Sequence, residues 1–299
     1  MKVLITGSTG LVGSALAARL RLSGHACVLL SRGGAPGTLK WDMHSRELPE
    51  GALGGVDAVV HLAGESIAGG RWSQARKRSI LESRVRSTGA LAAALARLEP
   101  PPALVCASAV GYYGDRGDAV LTEAEPPGNG FLAQVCREWE AAAEPAAAAG
   151  ARTVRARLGL VLSPRGGLLA RLRPLFEWGV AGALGSGRQY MSWVALADVA
   201  QALVRAVEDG SVRGPLNVTS PHPVTNAEFT RELARAVRRW VGPPVPRFAA
   251  RLAFGSEMAD ELFFASTRAV PARLLELGQG FRFPELRPAL ESLIREPRA

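Results

Sequence analysis

The strongest constraint in this sequence is a glycine-rich segment between a strand-like run and a helix-like run. Residues 2–6 read KVLIT, and the GSTGLVG segment that follows places glycines at Gly7, Gly10 and Gly13. Residues 14–22 then have a helical pattern. Glycines at such positions permit a sharp turn, close approach of a phosphate to the backbone and close packing of helix on sheet. Glycine turns also join strands to helices for structural reasons alone, so the strand-turn-helix context carries the prediction of a dinucleotide phosphate site.

Short apolar runs alternate with helical segments along the first half of the chain. Near-continuous apolar runs are typical of a parallel sheet that is buried on both faces. The predicted strands are 2–6, 26–30, 57–63, 103–107 and 153–161, and the predicted helices are 14–22, 74–98 and 131–149, with Pro145 kinking or ending the last. This alternation predicts an α/β fold, a doubly wound parallel sheet of the Rossmann type.

The regular alternation loosens after about residue 163, which suggests a second region. We expect a dinucleotide-binding domain at 1–165, to which the chain returns around 195–222, and a smaller substrate-capping region at 166–299. Helices are predicted at 197–208 and 226–240, with a short strand at 215–218.

Composition narrows the classes of function. The net charge is +9, yet Lys2, Lys40 and Lys77 are the only lysines, and the arginines are spread along the chain without interleaved aromatic residues. Spread charge is typical of a solvated surface, so nucleic acid is not the expected partner; salt-sensitive retention on DNA would test that reading. The first strand begins at residue 2 and no apolar run approaches about 18 residues, so we expect a cytoplasmic protein without a membrane span.

Cysteine and histidine usage indicates no metal site. Cys27, Cys106 and Cys136 are an odd number without C-x-x-C spacing, and the four histidines are scattered. The cysteines are therefore predicted to be reduced and buried.

The end of the second predicted strand bears on the choice of cofactor. An acidic residue there binds the ribose 2′-hydroxyl of NAD, whereas a basic residue accommodates the 2′-phosphate of NADP. Ser31 and Arg32 occupy this place, and no carboxylate does. The sequence thus favours NADP(H), although an ordinary surface arginine is the alternative for Arg32.

Several longer motifs resemble the extended short-chain dehydrogenase/reductases, and within them an atypical subgroup usually labelled epimerase family and sometimes mislabelled as a cell-division inhibitor. The resemblance extends from residue 1 to about residue 290. The motifs that carry it are GSTGLVG at 7–13, LAGESI at 62–67, ESR at 82–84, CASAVGYYG at 106–114, LGSGRQ at 184–189 and VTNAEF at 224–229.

The resemblance implies an extended short-chain dehydrogenase fold and a set of site residues. The predicted cofactor-binding residues are Gly7, Thr9, Gly10, Leu11, Val12, Gly13, Ser31, Arg32, Leu62, Ala63, Gly64 and Arg84. For Arg84, a solvated helix arginine is the alternative.

The catalytic pattern of that superfamily is broken in this chain. The superfamily uses a Tyr-x-x-x-Lys pair, but the corresponding helix here reads FLAQVCREWE, without tyrosine or lysine. Ser108 is the candidate for orienting the substrate, and Tyr112 or Tyr113 for donating a proton, unless the tyrosines only wall the pocket. Glu138 or Glu140 contacts ribose or substrate, or else is a solvated carboxylate, the ordinary case.

Two functions therefore stay open. The first is an NADP(H)-dependent oxidoreductase or epimerase that acts on a small polar molecule such as a sugar derivative. The second is a non-catalytic NADP(H)-binding sensor or scaffold, because fold and cofactor do not by themselves establish an activity.

Overall fold

The alternating pattern folds into a parallel sheet with helices on both faces. The computed structural model describes residues 1–45 and 47–296. Its strands are β1 (Lys2–Thr6), β2 (Ala26–Ser31), β3 (Leu39–Lys40), β4 (Ala58–His61), β5 (Ala103–Ala109), β6 (Val120–Leu121), β7 (Thr153–Leu158), β8 (Leu160–Ser163), β9 (Tyr190–Met191), β10 (Trp193–Ala195), β11 (Gly214–Val218), β12 (Val224–Thr225) and β13 (Arg268–Ala269).

The helices cover both faces of the sheet and form most of the C-terminal region. They are α1 (Leu11–Leu22), α2 (Gln74–Leu95), α3 (Phe131–Ala141), α4 (Glu144–Ala148), α5 (Gly167–Glu177), α6 (Leu196–Glu208), α7 (Asn226–Ala236), α8 (Arg247–Phe254), α9 (Ser256–Ala259), α10 (Ala272–Glu276) and α11 (Leu286–Arg295). No helix in the described ranges is both long enough and apolar enough to traverse a bilayer.

The main sheet has seven strands in the order β11-β7-β5-β4-β1-β2-β3, and its strand pairs are parallel. The chain leaves β1 in one direction towards β2 and returns on the other side through β4. Ligand crevices in open sheets lie at the carboxyl ends of the strands where the order reverses. The predicted doubly wound parallel fold is confirmed, and the crevice lies beside β1.

Two apolar layers hold the helices on opposite faces of the sheet. One buries Leu16 and Leu20 of α1 with Leu203 of α6, and the other buries Leu91 of α2 with Trp139 of α3. Because β1, β2, β4 and β5 contribute apolar residues to both layers, these strands carry the near-continuous apolar runs seen in the sequence.

Two predicted elements are each divided in the structure. The helix predicted at 131–149 is α3 and α4, since in one continuous helix the Pro145 ring would clash with the carbonyl of residue 141, where α3 ends. The strand predicted at 153–161 is β7 and β8, which pair with different partners on either side of Gly159. A Cβ on Gly159 would lie 2.5 Å from the Ser192 carbonyl oxygen, so the chain passes there through a gap that only glycine fits.

Residues 196–218 lie in the layers of the main sheet, because α6 packs on α1 and β11 pairs with β7. A separate apolar cluster in the C-terminal region joins α5, α7 and α11 through Phe176, Phe229 and Leu290. The division at residue 165 stays a prediction.

Candidate functional site

The glycine elbow is built so that helix α1 starts at the edge of the crevice. Gly7 has φ +65°, and the Gly10 amide donates to the Gly7 carbonyl oxygen over 3.0 Å. A Cβ on Gly13 would lie 2.2 Å from that same oxygen, so helix and turn touch with no room for a side chain. Helix α1 begins at Leu11 rather than at the predicted Ser14, and the first amides of a helix have no partners within it. The elbow therefore offers free amide donors to an anion.

A cavity of about 550 Å³ lies in front of this elbow. This size is within the range of small-molecule sites. The predicted cofactor residues in its lining are Gly7, Thr9, Gly10, Ser31, Arg32, Leu62, Ala63 and Gly64. Leu11, Val12 and Gly13 lie next to it in the first turn of α1, and Arg84 lies behind Gly64.

Two large side chains that sequence reasoning missed complete the wall of the cavity. Trp41 and Met43 are almost fully buried and line it beside Ser31. The Trp41 indole is fixed, since its Nε1 donates to the Glu47 carbonyl oxygen over 3.0 Å. An apolar, rigid wall suits a planar heterocycle. The available sequence signal was a tryptophan and a methionine between charged residues, just after the loop that runs to Gly37.

The two residues at the end of β2 differ in exposure and in hydrogen-bond partners. The Ser31 hydroxyl is buried and hydrogen-bonded to the Thr38 hydroxyl over 2.7 Å. The Arg32 side chain is 65% exposed, and its Nη1 donates to Glu65 Oε1 over 2.8 Å. Arg32 is thus free to change partner, whereas Ser31 is held in place.

A buried histidine ties the elbow strand to the next strand of the sheet. Thr6 Oγ1 accepts from the Leu62 and Ala63 amides over 3.2 and 3.3 Å and lies 2.6 Å from His61 Nδ1. His61 Nε2 lies 3.0 Å from Ser87 Oγ, whose proton goes to the Ser83 carbonyl oxygen. This chain of bonds requires a neutral imidazole with its proton on Nε2.

Acid should weaken the fold through His61. Burial, with a smaller effect from the Arg84 charge, lowers the pKa of His61 from 6.5 to about 3. Between these values the unfolded chain binds more protons than the folded one, so stability rises with pH and is lost as pH falls. We expect a contribution of up to about 1.4 kcal/mol per pH unit in this window. Urea unfolding of His61→Asn should show a flatter pH dependence than that of wild type or the exposed-site control His44→Asn. Parallel curves for all three would contradict this.

Arg84 is a buried cation without a hydrogen-bonded carboxylate among the described residues. Its Nη1 donates to the Ile80 carbonyl oxygen over 3.0 Å, and its buried Nε has no partner within the described ranges. The guanidinium carbon is 5.0 Å from the Trp139 ring and 3.3 Å from where a Cβ of Gly64 would lie. Burial lowers the pKa of Arg84. An unpaired buried charge is costly, which favours a bound anion near it.

Ser108 is held by a buried ion pair. Its hydroxyl donates to Glu140 Oε1 over 2.7 Å. Arg157 donates two hydrogen bonds to the same carboxylate, from Nε to Oε1 over 2.8 Å and from Nη2 to Oε2 over 2.9 Å. Burial acts to lower the pKa of Arg157, but the bonds and charge of Glu140 outweigh it and raise that pKa. Since a carboxylate only accepts, Ser108 must donate to Glu140 and turns its lone pairs elsewhere.

The two candidate tyrosines have different environments. Tyr113 is fully buried; its hydroxyl donates to Asn217 Oδ1 over 2.8 Å and accepts from Arg157 Nη1 over 2.9 Å. Burial raises the pKa of Tyr113 to about 12. Tyr112 is half-buried, with the Arg157 guanidinium carbon 3.5 Å from its ring centroid. This geometry favours a structural role for Tyr113 and leaves Tyr112 nearer to solvent.

The reading of Glu140 as a solvated carboxylate or a ligand contact needs correction. Its side chain is only 7% exposed and that of Arg157 only 4%, because the two neutralise each other inside the fold. Arg157 near the end of a predicted strand of the buried parallel sheet was the sequence signal, since a buried charge needs a partner. Glu138 accepts from Gln134 Nε2 on the same helix over 2.8 Å.

No group of three or more histidine, cysteine, aspartate or glutamate side chains suited to a metal ion occurs in the described part of the chain. Its three cysteines are free thiols.

Comparison with protein families assigns most of the chain. Residues 3–219 match the NAD dependent epimerase/dehydratase family. Residues 245–293 match a domain of unknown function, DUF1731.

Individual relatives match over nearly the full length. The epimerase family protein Mb2239 of Mycobacterium bovis is 47% identical over 290 residues, which cover 96% of either chain. The crystal structure of human epimerase family protein SDR39U1 (isoform 2) with NADPH has a TM-score of 0.90 and 33% identity, covering 99% of this chain and 100% of that one. A nucleoside-diphosphate sugar epimerase from Corynebacterium glutamicum has a TM-score of 0.82 and 38% identity, covering 98% of this chain and 58% of that one.

The glycine elbow, the doubly wound sheet and these full-length similarities agree with the resemblance seen in the motifs. The chain belongs to the NAD dependent epimerase/dehydratase family.

Proposed function

We propose that this chain binds NADP(H) in the crevice beside β1 and transfers a hydride to or from a small polar substrate, as an oxidoreductase or epimerase. The observation that carries the proposal is the cavity bounded by the glycine elbow on one side and by Ser31 and Arg32 on the other. The elbow offers amide donors for a diphosphate, and the arginine offers a guanidinium for the 2′-phosphate. The structure of human SDR39U1 with NADPH supports the same choice.

The residues of the chain also fit a dinucleotide by size and charge. Side chains are excluded at Gly7 and Gly13, which keeps the backbone accessible to a diphosphate. Arg84, with its unpartnered Nε, adds a cation behind Gly64. An anionic ligand would neutralise this charge.

We assign the substrate end of the site to Ser108 and Tyr112. The nicotinamide of a bound dinucleotide supplies or accepts the hydride. Ser108, fixed by Glu140, has only lone pairs left to offer, so it accepts a hydrogen bond from a substrate hydroxyl other than the reacting oxygen. Tyr112 donates the proton that the carbonyl oxygen takes up when hydride is added, and it receives that proton back when the alcohol is oxidised, since the Tyr113 hydroxyl already serves Asn217 and Arg157.

A non-catalytic NADP(H)-binding sensor or scaffold is the second candidate. The observation that favours it is helix α3, where the sequence FLAQVCREWEA provides neither tyrosine nor lysine. Tyr113 is fully buried, and burial raises its pKa to about 12 although the neighbouring Arg157 guanidinium acts to lower that pKa. A phenol that stays protonated at neutral pH is a weak base there.

Two measurements separate these functions. Calorimetry on nucleotide-free protein should detect NADPH binding, and absence of heat would overturn the proposal as a whole. NADPH oxidation should then be followed with a panel of sugar-derived and other small carbonyl compounds. If the chain is an enzyme, Ser108→Ala and Tyr112→Phe should each lower turnover by roughly 100-fold, with little change for Tyr190→Phe. Binding without turnover on any compound would favour the sensor.

Three wider assignments belong to this proposal. Residues 166–299 cap the substrate end, while 195–222 return to the dinucleotide-binding layers, supported by the pairing of β11 with β7. The partner is a small molecule. The location is cytoplasmic, supported by three cysteines that are free thiols, as expected in a reducing compartment.

A further inference from the structure

One acidic side chain stands at the mouth of the crevice. Glu65 follows Gly64 just beyond β4, and Arg32 follows β2. Because β1 lies between β2 and β4 in the sheet, the 2.8 Å pair between Arg32 and Glu65 crosses above the end of β1, where the glycine elbow begins. The pair therefore spans the crevice that a dinucleotide must enter.

Glu65 is shared by several cations. Its Oε1 accepts from Arg32, and its Oε2 accepts from Arg76 Nη1 over 3.4 Å. Its negative charge also acts to raise the pKa of Arg84, which burial lowers overall. Two guanidinium groups, those of Arg32 and Arg76, thus pair with one carboxylate, and the buried charge of Arg84 is added to theirs. The mouth of the crevice therefore has an excess of positive charge suited to an anionic ligand.

The partners of Glu65 differ in how firmly they are held. The Arg32 side chain is 65% exposed and that of Arg76 25%, while the Glu65 side chain is 20% exposed. Arg76 also donates to the Ser66 carbonyl oxygen, which fixes it beside Glu65. Arg32 is therefore the partner that can leave, and Glu65 stays paired with Arg76 when it does.

We propose that Glu65 is a cofactor-selectivity residue: it occupies Arg32 across the crevice, and Arg32 leaves it only for the 2′-phosphate of NADP(H). A dinucleotide without that phosphate offers Arg32 no new partner, so it binds while the pair between Arg32 and Glu65 stays intact. The difference in binding free energy between NADPH and NADH then equals the free energy that Arg32 gains at the 2′-phosphate minus the free energy that it loses by leaving Glu65. This inference rests on the proposed function.

The test is a calorimetric cycle with NADPH and NADH on wild type, Glu65→Gln, Arg32→Gln and the double variant. Glu65→Gln should raise the ratio Kd(NADH)/Kd(NADPH) about threefold to fivefold, the range of an exposed ion pair. Removing the Glu65 charge also weakens its repulsion of the diphosphate, but that effect is the same for both dinucleotides and cancels in the ratio. With Arg32→Gln already present, Glu65→Gln should leave the ratio unchanged.

Two further variants isolate the cause. Glu82→Gln removes a carboxylate that pairs with Arg86 at 3.3 Å on the surface of α2, and it should leave the ratio at the wild-type value. Glu65→Asp keeps the charge but shortens the reach to Arg32, and it should raise the ratio in the same direction as Glu65→Gln. High salt should shrink the effect because the pair is exposed.

The outcomes distinguish this inference from the proposed function. Wild-type protein that gives heat with neither dinucleotide overturns both. NADPH binding with an unchanged ratio in Glu65→Gln and Glu65→Asp overturns the role of Glu65 alone. A lower ratio in Glu65→Gln also overturns it, because Glu65 would then be helping Arg32 to meet the phosphate.

Discussion

Gly13→Ala should weaken dinucleotide binding severely. The new Cβ would lie 2.2 Å from the Gly7 carbonyl oxygen and 2.9 Å from Ser8 Cα, both backbone atoms that no side-chain rotation can move. Helix α1 must therefore shift away from the elbow, and its first amides then no longer point at the diphosphate. We expect NADPH affinity to fall by at least about 100-fold, or about 3 kcal/mol, measured by calorimetry.

Gly89→Ala is the matched control for this substitution. Gly89 lies inside α2, and apart from its chain neighbours and the adjoining backbone of the same helix, no described atom lies within 4 Å of the Cβ position; its φ is not in the left-handed region. Alanine should be neutral there or stabilise the helix by up to about 1 kcal/mol, with NADPH binding unchanged. If Gly13→Ala binds NADPH as tightly as wild type while folding normally, the elbow is not the phosphate site.

Among the substitutions considered, Glu140→Gln should cause the largest decrease in the free energy of unfolding. It leaves the Arg157 guanidinium, whose side chain is only 4% exposed, without the carboxylate that takes two of its bonds. Breaking one side of a buried ion pair costs about 3–5 kcal/mol, because the remaining charge stays buried without a counter-charge. Urea unfolding should report this loss as a lower midpoint with an unchanged slope.

The control for Glu140→Gln is Glu138, which lies two residues earlier on the same helix. Glu138→Gln alters a carboxylate whose bond is to Gln134 at 2.8 Å, so it should cost no more than about 1 kcal/mol. The double variant Glu140→Gln with Arg157→Met removes both charges and should recover part of the loss. Equal unfolding free energies for Glu140→Gln and Glu138→Gln would show that the pair contributes little.

Features that depend on residues close together in the sequence could be predicted from the sequence alone. The elbow was predicted because the apolar run, the three glycines and the helical pattern lie within one short stretch, although α1 begins at Leu11 rather than Ser14. The doubly wound parallel sheet followed from buried apolar runs alternating with helices, although the short edge strand β3 was not predicted. Ser31 and Arg32 were found because the end of a strand next to the elbow is a fixed place in such a sheet.

The polar contacts could not be read in this way. Glu140 and Arg157 lie on a helix and a strand 17 residues apart, and Arg32 and Glu65 are 33 residues apart. A sequence pattern gives the face of an element on which a side chain lies, but not the residue opposite it. Gly159 likewise appeared to continue a strand until Ser192 was placed against it.

The sequence by itself determined the fold class and the glycine elbow of this protein, because both depend on short-range patterns of apolar residues and glycines. Only the tertiary structure decided which charges are paired, that Tyr113 is buried, and that Glu65 stands opposite Arg32. Electrostatic and hydrogen-bond energies depend on distance and burial, and packing brings those groups together across long separations in the chain.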